Sequence, residues 1–302
     1  MKKSTVIPFV TIIIPVYNDL RRLQHCLTLL ESQTYPKHRY EVIVVDNNST
    51  DNLRSTVEQF SQARYIFEAT PGSYCARNKG LTMAQGDIIG FTDSDCAPAL
   101  NWIEKGAAHI GNHPNCGFVA GCINFSFQNP SSPTPAELYD SLHFLQQEKY
   151  VKDAHFGATA NLFTTPQVLA AVGPFNAALK SGGDREWGER VYAAGYPQIY
   201  GADVAISHPA RTDFEELSKK LRRVYEGNFK KNNKAKTPPL PFLKEVLFDA
   251  KPPIRYLLEI LKNSEIASLQ NRIAVVYIYI RLRLARAWVN LRLYFKTYQL
   301  TS

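Results

Sequence analysis

Three short segments carry groups that could do chemistry, and two of them follow an apolar run directly. Thr92-Asp93-Ser94-Asp95 follows Ile88–Phe91. Two carboxylates one residue apart can hold a hard divalent cation, which takes oxygen ligands from one or two carboxylates and from substrate phosphates. The same acids also suit capping of a helix expected to begin near Pro98. Asp46 closes Val42–Val45 and opens Asp46-Asn47-Asn48-Ser49-Thr50-Asp51. Its carboxylate could accept an N–H from a base or serve a ribose, and Thr50 or Asp51 reads as a helix cap. Asp184 sits in Ser181-Gly182-Gly183-Asp184-Arg185-Glu186-Trp187. The glycines would let the backbone approach a ligand closely. An acid at the start of the helix expected over 184–194 is favoured by the helix dipole. It could equally be a general base aimed into a cleft.

These groups need a scaffold, and the first half of the chain supplies one. Apolar runs at Val10–Ile14, Glu41–Val45, Tyr65–Phe67 and Asp87–Phe91 alternate with helical spacing at Leu20–Leu30, Asn52–Phe60 and Ala76–Ala84. Strands separated by helices every ~20–25 residues indicate βαβ units and a parallel sheet. Solid apolar runs fit strands covered on both faces. The fold class is therefore α/β, and ligands in such sheets bind beyond the carboxyl ends of the strands. Pro15-Val16-Tyr17-Asn18-Asp19 and Pro71-Gly72-Ser73 lie at such ends beside the acids. Further on, Leu138–Val151 reads as one aromatic helix, lining an acceptor or packing in the core.

Five segments in order carry a resemblance: Val10–Asn18, Val44–Asp51, Ala76–Gly80, Phe91–Asp95 and Gly183–Glu186. Together they resemble the family 2 glycosyltransferases with the GT-A fold, from about residue 9 to about residue 230. The resemblance implies a nucleotide-sugar donor, a divalent Mn²⁺ or Mg²⁺, and inversion at the anomeric carbon. It places Pro15 and Tyr17 in the nucleobase pocket, Asp46 on the base, Arg77 along the diphosphate and Asp93 on the ribose or sugar. It makes Asp95 a metal ligand, Asp184 the base and Glu186 an acceptor-positioning group. Relatives often place a metal-ligating histidine near His208; a surface or capping histidine is the other reading. One departure stands out: the family usually has Glu-Asp at the base position, and here Gly183 replaces the Glu. Without a QxxRW-type segment, transfer of single sugars is favoured over processive synthesis. UDP-sugars are the favoured donors, and a glycan or lipid-linked sugar in bacterial envelope or exopolysaccharide assembly is the expected acceptor.

The net charge of +8 is unevenly spread. Residues 1–216 hold 17 basic and 22 acidic side chains, whereas residues 217–236 hold eight basic and one acidic, and residues 266–302 six basic and none acidic. A mildly acidic body argues against a nucleic-acid-binding protein. The expected organisation is a transferase domain over 1–236, with a donor half over about 9–125 and an acceptor half over about 126–236, and a basic helical appendage over 237–302. In that appendage Ile273, Val276, Tyr277, Ile280, Leu284, Trp288, Leu291 and Phe295 recur at helical steps. Such a helix suits an anionic membrane surface or packing on the body or in a homodimer. Five scattered cysteines form no CxxC pair and read as free thiols of a cytoplasmic protein, here one peripheral to the inner face of the cell membrane. A nucleotidyltransferase would carry a Gly-rich loop after the first strand, where this chain has Pro15-Val16-Tyr17-Asn18. A catalytically degenerate domain that binds sugar or partners would find its support in Gly183.

Overall fold

Val10–Val16 forms a strand, β1, with every residue buried. Val10, Ile12, Ile14 and Val16 enter one apolar core and Ile13 enters a second. That alternation is the period-two geometry of a strand covered on both faces. The computed structural model describes residues 7–231, 237–251, 254–263, 266 and 268–298.

Strands β2 (Tyr40–Asp46), β3 (Ala63–Phe67), β4 (Ile88–Thr92), β5 (Ala97–Pro98), β6 (Phe118–Ser126), β7 (Asn161–Thr164) and β8 (Gln198–Pro209) complete an eight-stranded sheet. Its order is β3-β2-β1-β4-β7-β6-β8-β5. The strands β3, β2, β1 and β4 run parallel, as expected. Strand β7 runs antiparallel to β4 and β6, and β5 runs antiparallel to β8.

Helices α1 (Leu20–Glu31), α2 (Leu53–Val57), α3 (Ser73–Leu81) and α4 (Trp102–Asn112) occupy the first half. Helices α5 (Pro135–His143), α6 (Gln147–Ala154), α7 (Pro166–Val172) and α8 (Gly183–Ala193) follow. Leu23, Leu27 and Leu30 of α1 and Trp102 of α4 fill the first core; Ala76 of α3 and Trp187 of α8 fill the second. Helices therefore cover both faces of the sheet. A Cβ on Gly80 would lie 2.6 Å from Ile13, so α3 rests directly on β1. That close approach brings Arg77, one turn earlier, to the strand ends.

Three local expectations change. Pro98 lies in β5, and α4 begins at Trp102 behind Asn101, so neither Asp93 nor Asp95 caps it. Helix α2 begins behind Asn52, because the Thr50 backbone and hydroxyl are bonded to Asn18 instead. The segment 138–151 is two helices rather than one. Leu145, at φ 52°, turns the chain through the left-handed region and breaks the run. A capping box between Thr134 and Glu137 starts α5.

The chain divides into two compact units. The first holds the sheet: the chain to Phe125, Leu145–Leu179 and Gly183–Pro209. The second holds Ser126–Phe144, Lys180–Gly182 and the chain from Ala210 onward. It contains α9 (Phe214–Lys231), α10 (Pro239–Ala250), α11 (Ile254–Lys262) and α12 (Leu269–Tyr298). The boundary drawn from composition at residue 236 falls inside this second unit. Leu217 and Leu221 of α9 pack with Val275, Ile278 and Leu282 of α12. Lys234 and Lys236 of the basic run lie outside the described residues.

Candidate active site

Strand register brings the first pair of groups together. Strand β5 pairs with β8 so that Ala97 faces Ser207 and Pro98 faces Ile206. That pairing carries His208, the residue after Ser207, alongside the chain that enters β5, and its Nε2 lies 3.6 Å from Asp95 Oδ2. His208 is buried, and its Nδ1 lies 2.8 Å from the Pro209 carbonyl oxygen. A carbonyl only accepts, so Nδ1 bears a proton, and in the neutral tautomer with that proton the Nε2 lone pair faces Asp95. Two acceptors then face each other, which is a donor set for a cation. Burial raises the Asp95 pKa and Asp93 adds to the rise, whereas His208 opposes it. His208 is neither at the surface nor a helix cap. Among the described residues no third His, Cys, Asp or Glu joins them in an all-protein metal cage. A hard cation that shares its shell with substrate phosphates needs none.

The second set runs through α3. Arg77 is buried and donates from Nη2 to Asp93 Oδ1, while its Nε has no partner. Its guanidinium lies 5.8 Å from the centre of the Tyr74 ring. Tyr74, also buried, donates from its hydroxyl to Asp184 Oδ1 at 3.2 Å. Asp184 opens α8 and accepts from the Arg185 N–H at 2.9 Å. Burial raises the Asp184 pKa; the Arg185 N–H, the Arg77 charge and the Tyr74 hydroxyl pull it down. Asp93, Arg77, Tyr74 and Asp184 thus form one connected series.

Gly183 belongs to the same series. A Cβ built there would meet three atoms of the Tyr74 ring at 2.7–2.8 Å. Tyr74 therefore fills the space in which a side chain at 183 would begin.

The third set lies at the ends of β1 and β2. Asp46 is buried; Oδ1 accepts from the Ser49 N–H at 2.9 Å and Oδ2 from the Tyr65 hydroxyl at 2.8 Å. Asn47 accepts from the Gly72 N–H at 2.7 Å and donates to the Glu68 and Thr70 carbonyls. It shapes the loop that delivers α3. Asn18, at φ 50°, accepts from the Thr50 N–H, and Ser49 accepts from the Asn18 N–H. Pro15 is buried within β1, whereas Tyr17 is 63% exposed at its end, free to meet a planar base. Asp19 accepts from Ser94 at 3.2 Å and so joins the end of β1 to the Asp93–Asp95 turn.

Glu186 stands apart from Asp184. Residues two apart on a helix face different ways. Its carboxylate accepts from Arg190 at 2.8 and 3.1 Å, and Arg190 also donates to the Val172 carbonyl that ends α7 and to the Pro174 carbonyl beyond it. The sequence reading missed Tyr74, and it quoted Asn47 and Asp19 within their segments without giving either a role. Tyr74 and Asn47 sit inside or beside motifs already singled out, but nothing in their spacing reveals what they touch.

This geometry can be set beside known proteins. Residues 11–175 match the family model of glycosyl transferase family 2. Glycosyltransferase AglE of Haloferax volcanii is 41% identical over 229 residues, 74% of each chain. The chain belongs to glycosyl transferase family 2. A Methanococcus voltae dolichyl N-acetyl-alpha-D-glucosaminyl phosphate 3-beta-D-2,3-diacetamido-2,3-dideoxy-beta-D-glucuronosyltransferase is 22% identical over 225 residues, 70% of each chain. In fold, the chain is similar to the mannosyltransferase PcManGT from Pyrobaculum calidifontis, solved with GDP-Man and Mn²⁺. The TM-score is 0.61 at 21% identity, over 95% of this chain and 75% of that one. This family 2 protein is a glycosyltransferase with a GT-A fold and a helical C-terminal region.

Proposed function

We propose that this family 2 glycosyltransferase moves one sugar, with inversion, from a nucleoside-diphosphate donor to an acceptor hydroxyl. The observation that carries the reading is the convergence, within one unit, of Asp46, Arg77, Asp93, the Asp95–His208 pair and Asp184. Pro15, Tyr17 and Asp46 receive the base, Arg77 lies along the diphosphate, and Asp93 meets the ribose or sugar. Asp95 and His208 would hold the cation. Carboxylate and imidazole together favour Mn²⁺ over Mg²⁺, whose sites are built of oxygen. When bound, that cation supplies positive charge beside the diphosphate.

The acceptor oxygen attacks the anomeric carbon as the bond to the diphosphate oxygen breaks. The proton goes to Asp184, and the electron pair leaves with the nucleoside diphosphate. Arg77 stabilises the charge developing there. A positioned base contributes ~10²–10⁴ in rate. Glu186 enters through Arg190, as a group that fixes α8 on α7 below the acceptor. The degenerate alternative rested on Gly183, and Tyr74 now accounts for that glycine.

UDP-sugars remain the favoured donors. The acceptor is a glycan or lipid-linked sugar in envelope polysaccharide assembly, a reading supported by the dolichyl phosphate in the name of the Methanococcus relative. Five free thiols, four of them buried, fit the reducing cytoplasm in which such donors would be used. Calorimetry with a panel of nucleoside diphosphates, with and without Mn²⁺, tests the proposal. One nucleotide should bind in a metal-dependent manner, and Asp95→Ala should abolish the metal dependence. A folded protein that binds none of them would overturn it.

A further inference from the structure

Helix α12 is 30 residues long and has two different apolar faces. On one, Val275, Ile278 and Leu282 pack with Ala136, Tyr139, Leu217 and Ile260. Further along, Ala287 and Tyr294 pack with Phe242 and Val246 of α10. These contacts hold the helix on its own unit. The other face carries Ile273, Tyr277, Leu284, Trp288 and Phe295, each more than half exposed. Steps of four and seven keep them in one line, and at ~1.5 Å per residue that line is about 33 Å long. Twelve of the eighteen large apolar side chains exposed among the described residues lie between Leu240 and Phe295. A concentration of this kind marks an interaction surface rather than scattered surface residues.

Charge decides what the surface fits. Three of the six cations of α12 turn inward. Arg272 donates to the Leu261 and Ile266 carbonyls, Arg283 to the Phe248 carbonyl, and Arg286 pairs with Asp249 at 2.8 Å. The other three, Arg281, Arg292 and Lys296, are exposed and lie along one flank of the apolar line. The helix has no acidic residue. A second copy of the same face would set these cations against their like. A nucleic acid would pair with the cations but leave Leu284 and Trp288 without apolar cover. An anionic bilayer satisfies both halves: the apolar line enters the acyl boundary, with aromatic rings at headgroup level, and the cations meet lipid phosphates. Among the described residues no helix is long and apolar enough to cross a membrane, so α12 would lie along the surface.

We propose that α12 docks this protein on an anionic lipid bilayer through Ile273, Tyr277, Leu284, Trp288 and Phe295, flanked by Arg281, Arg292 and Lys296. The purpose of docking rests on the transferase reading, since it would present a lipid-linked acceptor, but the docking itself does not. Trp288 makes the test direct. The other tryptophans, Trp102 and Trp187, are fully buried, whereas Trp288 is 68% exposed. The full chain is mixed with vesicles of phosphatidylcholine alone or with phosphatidylglycerol, and emission and co-sedimentation are followed. Phosphatidylglycerol vesicles should shift the emission to the blue and bind about tenfold or more tightly than phosphatidylcholine alone. Ile273→Ser/Tyr277→Ser/Phe295→Ser, which keeps Trp288, should weaken binding to both vesicles by about tenfold or more. Arg292→Glu/Lys296→Glu should remove the preference for phosphatidylglycerol and its salt sensitivity. All substituted residues are exposed, so circular dichroism should show unchanged folding. Absent binding, or a dimer in sedimentation that the serine variant converts to monomer, would overturn the proposal. Nucleotide calorimetry without vesicles would still report on the transferase reading, so the two can fail separately.

Discussion

Tyr74→Phe is the most informative single change in the site. It removes one oxygen and keeps the ring, so the contacts of Tyr74 with Phe175 and Gly183 survive. What is lost is the hydrogen bond from the hydroxyl to Asp184 at 3.2 Å. Hydrogen bonds to charged groups contribute ~1.5–3 kcal/mol, and a long one to a half-buried acid belongs at or below the lower end. Since one pKa unit corresponds to 1.36 kcal/mol, the Asp184 pKa should rise by at most about one unit. The direction follows from which form the bond favours: the hydroxyl stabilises the carboxylate, and burial already opposes it. A base works only when ionised, so the acid limb of kcat/KM should move to higher pH by up to about one unit. The high-pH plateau should fall less than about threefold, because a more basic carboxylate accepts the proton no less readily. The assay is nucleoside diphosphate release from the donor across the acid and neutral range, with Asp184→Asn as the inactive control. An unmoved acid limb in a folded variant would refute the link from Tyr74 to the base. Loss of activity at every pH would refute it too, by making Tyr74 essential in its own right.

Gly183→Ala should destabilise the protein by ~1–3 kcal/mol, seen as a lower midpoint in urea, because its Cβ would crowd the Tyr74 ring. Tyr74→Ser removes that ring, so Gly183→Ala should cost almost nothing in its presence; equal costs in both backgrounds would exclude the contact. Asp184→Asn should be at least as stable as the parent at neutral pH. The folded-state pKa of Asp184 is raised, so the native chain binds the extra proton and gains stability as pH falls through that pKa. Thermal unfolding at neutral and acid pH should therefore show the gap between variant and parent closing on acidification. In the second unit, Asp140 is fully buried and accepts from Arg211 at 3.0 Å, with Lys220 at 3.5 Å. Asp140→Ala should cost ~3–5 kcal/mol in denaturant unfolding, because it leaves two cations without their carboxylate.

The parallel half of the sheet was legible because β1, β2 and β4 are solid apolar runs that end in polar residues. Asp46, Asp93 and Asp95 could be named for that reason, since a carboxylate after a buried strand is visible in one dimension; Asp184 follows no strand and was marked by the glycines before it and the helix it starts. Partners across the fold were not. His208 meets Asp95 only because a two-residue strand, Ala97–Pro98, pairs with β8, and a strand that short has no period to read. The break at Leu145 was equally hidden, because leucine rarely adopts positive φ and nothing in its type announces a turn. Apolar steps of three and four identified α12 as a helix but could not tell its buried line from its exposed one. Both lines are apolar; only the packing partners of Val275, Ile278 and Leu282 separate them.

Gly183 is where sequence and structure argue against each other most directly. Read alone, glycine in place of an acid beside the base weakens the case for catalysis. A site drifting out of use would lose that acid and leave the space to water or to unrelated packing. Here the space is taken by Tyr74, and the ring that excludes a side chain at 183 carries the hydroxyl that reaches Asp184. The same ring lies against Arg77, which in turn bonds Asp93. One residue thus accounts for the glycine, bonds the proposed base and lies beside the guanidinium proposed for the diphosphate. Loss of function alone gives no reason for those three relations to coincide, whereas the proposed role of Asp184 as base gives one.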